Sequence, residues 1–192
     1  LELLHEASGL LVRMIFFTAD THFSDPRVLR IDRRPFASTE DHDAALIATW
    51  NELVGPRDEV WHLGDFARGT RLHVENLLSR LNGHKHLIIG NNDPVETAEA
   101  SGWTSVAHYK ELLLGDQRLV LCHYPFRTWN GMGRKAINLH GHSHGRLSPG
   151  TRQFDVGVDP QRLRPVTLEQ VVASRKRGKA QGATSRAKKN EI

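Results

Sequence analysis

The 192-residue sequence predicts an α/β sandwich with helices on both faces. Three observations carry this. Short apolar runs that end in polar turns alternate with segments of helical period. The order is βαβα in the first half and hairpin-like in the second. Four of the strand ends carry the same kind of residue, a carboxylate, an amide or an imidazole.

"MIFFTAD", residues 14–20, reads as a buried strand running into a polar turn, and residues 21–37 with Pro26 and Pro35 as a loop. Ser38 with Asp41 three residues on resembles a capping box. Leu46, Ile47, Trp50, Leu53 and Val54 then fall at helical spacing until Gly55-Pro56 stops the helix. "EVWHLGD", 59–65, is the second strand. Residues 70–81, with Leu72, Leu77, Leu78 and Leu81, form the second helix. "HKHLIIGNND", 84–93, is the third strand, and a short helix follows Pro94. "YKELLLGDQRLVLCHYP", 109–125, is two strands joined at Gly115-Asp116. "AINLHGHSHG", 136–145, is a strand ending in a turn, "TRQFDVGV" the last strand and "TLEQVVASRK" a C-terminal helix.

Length allows one domain with a sizeable core, expected over 14–173. The single cysteine, Cys122, excludes a disulfide framework within the chain and suits a reducing, cytoplasmic compartment. No apolar run approaches the ~20 residues a membrane span requires. Residues 1–13 are expected to be an N-terminal extension and show no basic region of a signal peptide. The formal charge of +4 is unevenly spread: seven of the 26 basic residues but one of the 22 acidic residues lie in 174–192. That segment is expected to be a disordered basic tail, either solubilising or a weak arm for nucleic acid. The rest of the chain is slightly acidic.

The chemistry sits in Asp20, His22, Asp65, Asn91, His123, His142 and His144. In α/β sheets, sites form at the carboxyl ends of strands, where groups from separate strands converge. The donors are oxygen and imidazole, a set that suits Mn, Fe, Zn, Ni or Co. Seven ligands exceed one tetrahedral ion and fit two ions sharing a carboxylate. Two ions about 3.5–4 Å apart form a clamp for in-line displacement at phosphorus by a hydroxide held between them. In "HGHSH" the alternation of an extended segment is expected to turn His140, His142 and His144 the same way.

"DTH", "GD", "GNND", "CHYP" and "GHSH", in this order, resemble the calcineurin-like metallophosphoesterases over roughly residues 14–158. The longer phrases "FFTADTHF", "RPF", "WHLGDF" and "KHLIIGN" look like a small bacterial phosphoesterase branch. The resemblance implies a four-layer α-β-β-α sandwich of two mixed sheets flanked by helices. It implies that Asp20, His22 and His144 hold one metal, that Asn91, His123 and His142 hold the other, and that Asp65 bridges them. Manganese leads the expected ions.

The family's third block usually reads GNH followed by an acid, the histidine serving as proton donor to the leaving group. Asn92 stands there in this chain. An amide donates hydrogen bonds but cannot surrender a proton near neutral pH. General acid catalysis is typically worth ~10²–10⁴-fold. Substrates whose leaving oxygen departs as a stable anion, such as phosphoanhydrides and activated diesters, are therefore expected to be favoured over alkyl monoesters. His62 and His140 are the alternative proton donors. Arg127 and Arg68 are candidate phosphate binders, and Trp129 is a candidate for base stacking or a loop anchor.

The expected function is a dinuclear-metal phosphoesterase acting on phosphodiester, phosphoanhydride or nucleotide-type substrates. The competing expectations are a catalytically weak relative that binds a partner as a scaffold, and a nucleic-acid-processing phosphoesterase that uses the basic tail.

Overall fold

The computed structural model describes residues 13–148 and 150–174. Two four-stranded sheets face one another. The first contains β1 (Ile15–Thr18), β2 (Glu59–His62), β3 (His84–Ile88) and β4 (Trp103–Ala107) in the order β1-β2-β3-β4. The second contains β5 (Lys110–Leu114), β6 (Gln117–Leu121), β7 (Ile137–His140) and β8 (Gln153–Asp155) in the order β5-β6-β7-β8. Helices α1 (Arg27–Ile31), α2 (Thr39–Leu53), α3 (Arg71–Arg80) and α4 (Val95–Glu99) follow the chain through the first half. Residues 168–174 form a fifth helix, α5. The expected sandwich of two sheets flanked by helices is what the chain adopts.

The continuous apolar runs have a simple cause: both faces of the first sheet are covered. Phe16, Val60 and Leu87 point to the outer side. There they pack with Leu46, Ile47 and Trp50 of α2 and with Val74, Leu77 and Leu78 of α3. Phe17, Trp61 and Ile88 point inward against Leu119, Leu121, Ile137 and Leu139 of the second sheet, joined by Leu168 and Val171 of α5. Ser38 caps α2 by accepting the Asp41 N–H at 3.1 Å, as its spacing predicts. Thr70 does the same for α3 with His73, at 3.3 Å.

Four details differ from the sequence reading. The ladders of the first sheet are all parallel, and only the second sheet is mixed, through its antiparallel β5-β6 hairpin. Strand β4 went unread because none of its five residues is buried, so an edge strand leaves no periodic signal. Leu72 falls at helical spacing yet is 67% exposed, and α1 occupies part of the expected 21–37 loop. Apart from Arg13 and Ser174, the expected N-terminal extension and basic tail lie outside the described residues.

The parallel ladders decide where the chemistry gathers. β1, β2 and β3 run the same way, so their carboxyl ends open on one edge. β6 and β7, also parallel to each other, deliver His123 and the 141–145 turn to it.

Candidate metal centre

Beyond β1 the chain stays beside the extension of β2. The Asp20, His22 and Phe23 N–H groups donate to the carbonyls of Gly64, Asp65 and Phe66 at 2.9, 3.0 and 2.8 Å. Gly64 and Gly90 let the ends of β2 and β3 close up. A Cβ on Gly64 would lie 2.6 Å from the Gly90 backbone, and one on Gly90 would lie 2.3 Å from Asp65 Oδ1. No side chain fits at either position. Asp93 then ties the two turns together: its carboxylate accepts the N–H groups of Asp65, Phe66 and Gly90 at 2.7–2.8 Å. Burial pushes this carboxyl up to about 6, against the lowering effect of those bonds.

Asp65, 2% exposed, stands at the middle. Its Oδ2 lies 3.5 Å from His22 Nε2 and 3.6 Å from His123 Nε2. Asp20, fully buried, accepts the His142 N–H on both oxygens at 3.0–3.1 Å and lies 3.9 Å from His144 Nε2. The His22 and His144 rings stack at 5.4 Å, and His142 meets the His123 ring at 5.1 Å. Asn91 Oδ1 is 3.0 Å from His123 Nε2. The structure thus brings together all seven residues singled out in the sequence.

The means is backbone strain rather than strand alternation. Asp20, His22, Asp65, His142 and His144 all have φ between 47° and 65°. Left-handed non-glycine residues are uncommon and cost on the order of 1 kcal/mol or more each. Five of the seven candidate ligands sit this way. "HGHSH" is not extended past β7: residues 142–145 turn, and His140 is left on the strand.

The arrangement is rich in acceptors and poor in donors. His123 donates Nδ1–H to Leu63 O at 2.8 Å, which leaves the Nε2 lone pair facing Asn91 Oδ1 and Asp65 Oδ2. His144 donates Nδ1–H to Asp159 Oδ2 at 2.7 Å, which leaves its Nε2 lone pair toward Asp20. His22 Nε2 is buried without a hydrogen-bond partner. Burial, with Asp155 and Asp65 adding repulsion, raises the Asp20 carboxyl well above its ordinary range despite His144 nearby. Burial also lowers His22 to about 4 and lowers His123. Burial opposes charge on His144 as well, but its bond to Asp159 and the nearby Asp20 and Asp32 raise it. Neutral His22 and His123 beside carboxylates with little positive charge around them are the chemistry of a divalent-cation site. Asp20, His22 and His144 can bring ligand atoms within 4.8 Å of one another, and so can Asp20, Asp65 and His123.

Residues 14–155 match the calcineurin-like phosphoesterase superfamily domain. The chain belongs to that superfamily. An uncharacterized protein of Methanocaldococcus jannaschii is 25% identical over 177 residues, covering 88% of this chain and 94% of its own length. The gene 66 protein of Mycobacterium phage D29 is 31% identical over 177 residues, 76% of this chain and 87% of its own. In structure, a protein of unknown function from Aquifex aeolicus superposes with a TM-score of 0.66 at 18% identity, over 84% of this chain and 99% of its own. Members of this superfamily are metallophosphoesterases, so divalent metals and phosphorylated substrates follow at the family level.

The remaining residues singled out in the sequence separate. Asn92 holds Asp65 twice, through its N–H to Oδ1 and its Nδ2 to Oδ2, both 2.7 Å. Burial opposes ionisation of Asp65, but His123 and these two bonds keep its carboxyl below the ordinary value. Arg68 lines a cavity of about 260 Å³ with His22, Asp65 and Asn92, and its side chain has no hydrogen-bond or ion-pair partner among the described residues. Arg127 is exposed on the loop after β6 and lines neither that cavity nor the one holding His142 and His144. Trp129 donates its indole N–H to Ala136 O at 3.0 Å, anchoring its loop.

His140 lines a different cavity, with Phe154, Pro160 and Val171, and its Nδ1 bonds Gly141 O at 2.8 Å. His62 is fully buried toward the helices against Thr21 Oγ1, 2.9 Å away. Sequence reasoning missed Arg27, which lines both cavities beside the candidate ligands while paired to Asp25 at 2.5 Å. It also missed Arg34 and Asp159. Asp159 carried the same signal as the ligands, an acid just past the last strand. A buried arginine carries none.

Proposed function

We propose that this chain is a dinuclear-metal phosphoesterase acting on phosphodiester, phosphoanhydride or nucleotide-type substrates. One observation supports the reading above the others: a single buried carboxylate oxygen, Asp65 Oδ2, lies within 3.5 Å of His22 Nε2 and 3.6 Å of His123 Nε2, between the two candidate ligand groups. Asp20, His22 and His144 would serve one ion, Asn91, His123 and His142 the other, and Asp65 both. When bound, such a pair supplies Lewis acidity toward phosphoryl oxygens and an activated water at neutral pH.

The chain's own groups do the rest. Asn92 keeps the Asp65 carboxylate oriented and ionised through its two hydrogen bonds. Its amide supplies no proton, so the leaving oxygen departs best when it is stable as an anion. Arg68, at the wall of the cavity and without a side-chain partner among the described residues, is positioned to receive an anionic part of the substrate. Mn, Fe, Zn, Ni and Co all suit these donors, with availability often deciding among them, and manganese is the ion we propose first.

The test is hydrolysis of bis(p-nitrophenyl) phosphate and p-nitrophenyl phosphate by stripped protein, with and without added Mn²⁺, beside Asp65→Ala. Metal-dependent turnover that falls to background in the variant is expected, with the diester at least as good a substrate as the monoester. Turnover that survives metal removal, or is unchanged in Asp65→Ala, would overturn the proposal.

A further inference from the structure

We infer that Arg34 is a positioning residue for one of the two metal positions, and that the imidazoles of the two positions are oriented by different partners inside the protein. The inference builds on the dinuclear reading above and goes beyond it by assigning a task to residues outside the ligand set.

Arg34 lies between α1 and α2 with its side chain 1% exposed. Each guanidinium nitrogen is engaged. Nε and Nη2 form a fork on Asp159, at 2.9 and 2.8 Å. Nη2 also donates to Asp20 O at 2.6 Å, and Nη1 donates to Thr21 O at 2.7 Å and to His42 Nε2 at 3.0 Å. These acceptors converge on the first position from two directions. The carbonyls belong to the segment that presents Asp20 and His22. Asp159 holds Nδ1 of His144 and so aims Nε2 at Asp20.

The network continues outward through a consistent set of donors. His42 Nε2 accepts from Arg34, so its Nδ1–H donates to Asp43 Oδ1 at 2.8 Å. Asp43 accepts the Ser24 N–H at 3.0 Å and its hydroxyl at 2.7 Å. Asp20, His22 and Ser24 are left-handed at φ 55°, 49° and 60°, a run of alternate strained residues in one short segment. Arg34 grips the start of that segment and Asp43 its end. Strained conformations persist only where the surroundings over-determine them, and this network is what does so.

The second position is held differently. His123 is oriented by Leu63 O, and the Asn91 turn by the Asp93 carboxylate on the ends of β2 and β3. Neither contact involves Arg34, Asp159 or α2; the two supports meet where the His142 N–H bonds the Asp20 carboxylate, a bond made by the backbone rather than by the imidazole. Outer partners that orient metal-binding histidines typically change metal affinity 10–100-fold when removed. Loss of Arg34 is therefore expected to weaken one position selectively.

The experiment is Mn²⁺ binding by equilibrium dialysis, with electron paramagnetic resonance, on the full chain and on Arg34→Gln. The wild type is expected to bind two ions and to give the spectrum of a coupled pair at two equivalents. Arg34→Gln is expected to bind one ion within about threefold of native affinity, the second being weakened about 10–100-fold. The coupled spectrum then appears only in excess Mn²⁺. Asp159→Asn, which keeps one acceptor but not the charge, decides the matter if Arg34→Gln does not fold, with the same split expected. Equal weakening of both ions, or no change in either, in a folded variant would overturn the inference. Fewer than two ions on the wild type would overturn the dinuclear reading itself, and this inference with it.

Discussion

His62 offers a prediction whose size follows from its contacts. Thr21 Oγ1 gives its own proton to Phe66 O at 2.8 Å, so it accepts at 2.9 Å from His62 Nε2–H. Nδ1 is then the lone-pair nitrogen, and it is buried with no hydrogen-bond partner. A second proton would place an N–H there with nothing to accept it, in a site closed to water. Burial accordingly lowers this imidazole to about 3, with Asp65 opposing only in part. The folded pKa lies below the ordinary 6.5, so the stabilising contribution is complete above about pH 6.5 and is lost as pH falls toward 3. From pH 7.5 to 5.0 the loss is about 2 kcal/mol.

The assay is urea unfolding of stripped wild type and His62→Gln at the two pH values. The other titrating groups are common to both proteins and cancel in the double difference. Wild type is expected to lose about 2 kcal/mol more than the variant on acidification. A double difference near zero would show that His62 accepts a proton in the fold, which would restore it as a proton-donor candidate and refute the reasoning.

Asn92→His is expected to raise turnover of alkyl phosphate esters relative to p-nitrophenyl esters by up to ~10²-fold; equal ratios before and after would sink the leaving-group argument. Gly64→Ala places a Cβ 2.6 Å from the Gly90 backbone at φ +93°, and is expected to lower stability by roughly 1–3 kcal/mol, read by urea unfolding. Trp50→Ala removes a side chain packed between α2 and the first sheet and is expected to cost about 3–5 kcal/mol. Leu72→Ala, at an exposed position on α3, is expected to change stability by less than about 0.5 kcal/mol.

Local chemistry was legible in the chain. The apolar runs of β1, β2 and β3 read as buried strands because both faces of the first sheet are covered. Ser38 read as a cap because its partner Asp41 is three residues away. Each candidate ligand read as such because a carboxylate, amide or imidazole ending a strand is visible without knowing its neighbours. β4 was not legible, since an edge strand with no buried residue has no pattern to show.

What the sequence by itself determined is which groups stand at the strand ends, and therefore the class of chemistry they can perform. Tertiary structure alone decided their convergence and their support. His142 and His144 reach the centre through left-handed turns, not alternation, and His140 is left facing another cavity. Arg34 meets Asp159 across 125 residues of chain. The reason is physical: a residue's donors, acceptors and charge travel with it along the sequence. The burial that strips them of water, and the partners that then hold them, arise only when distant segments pack.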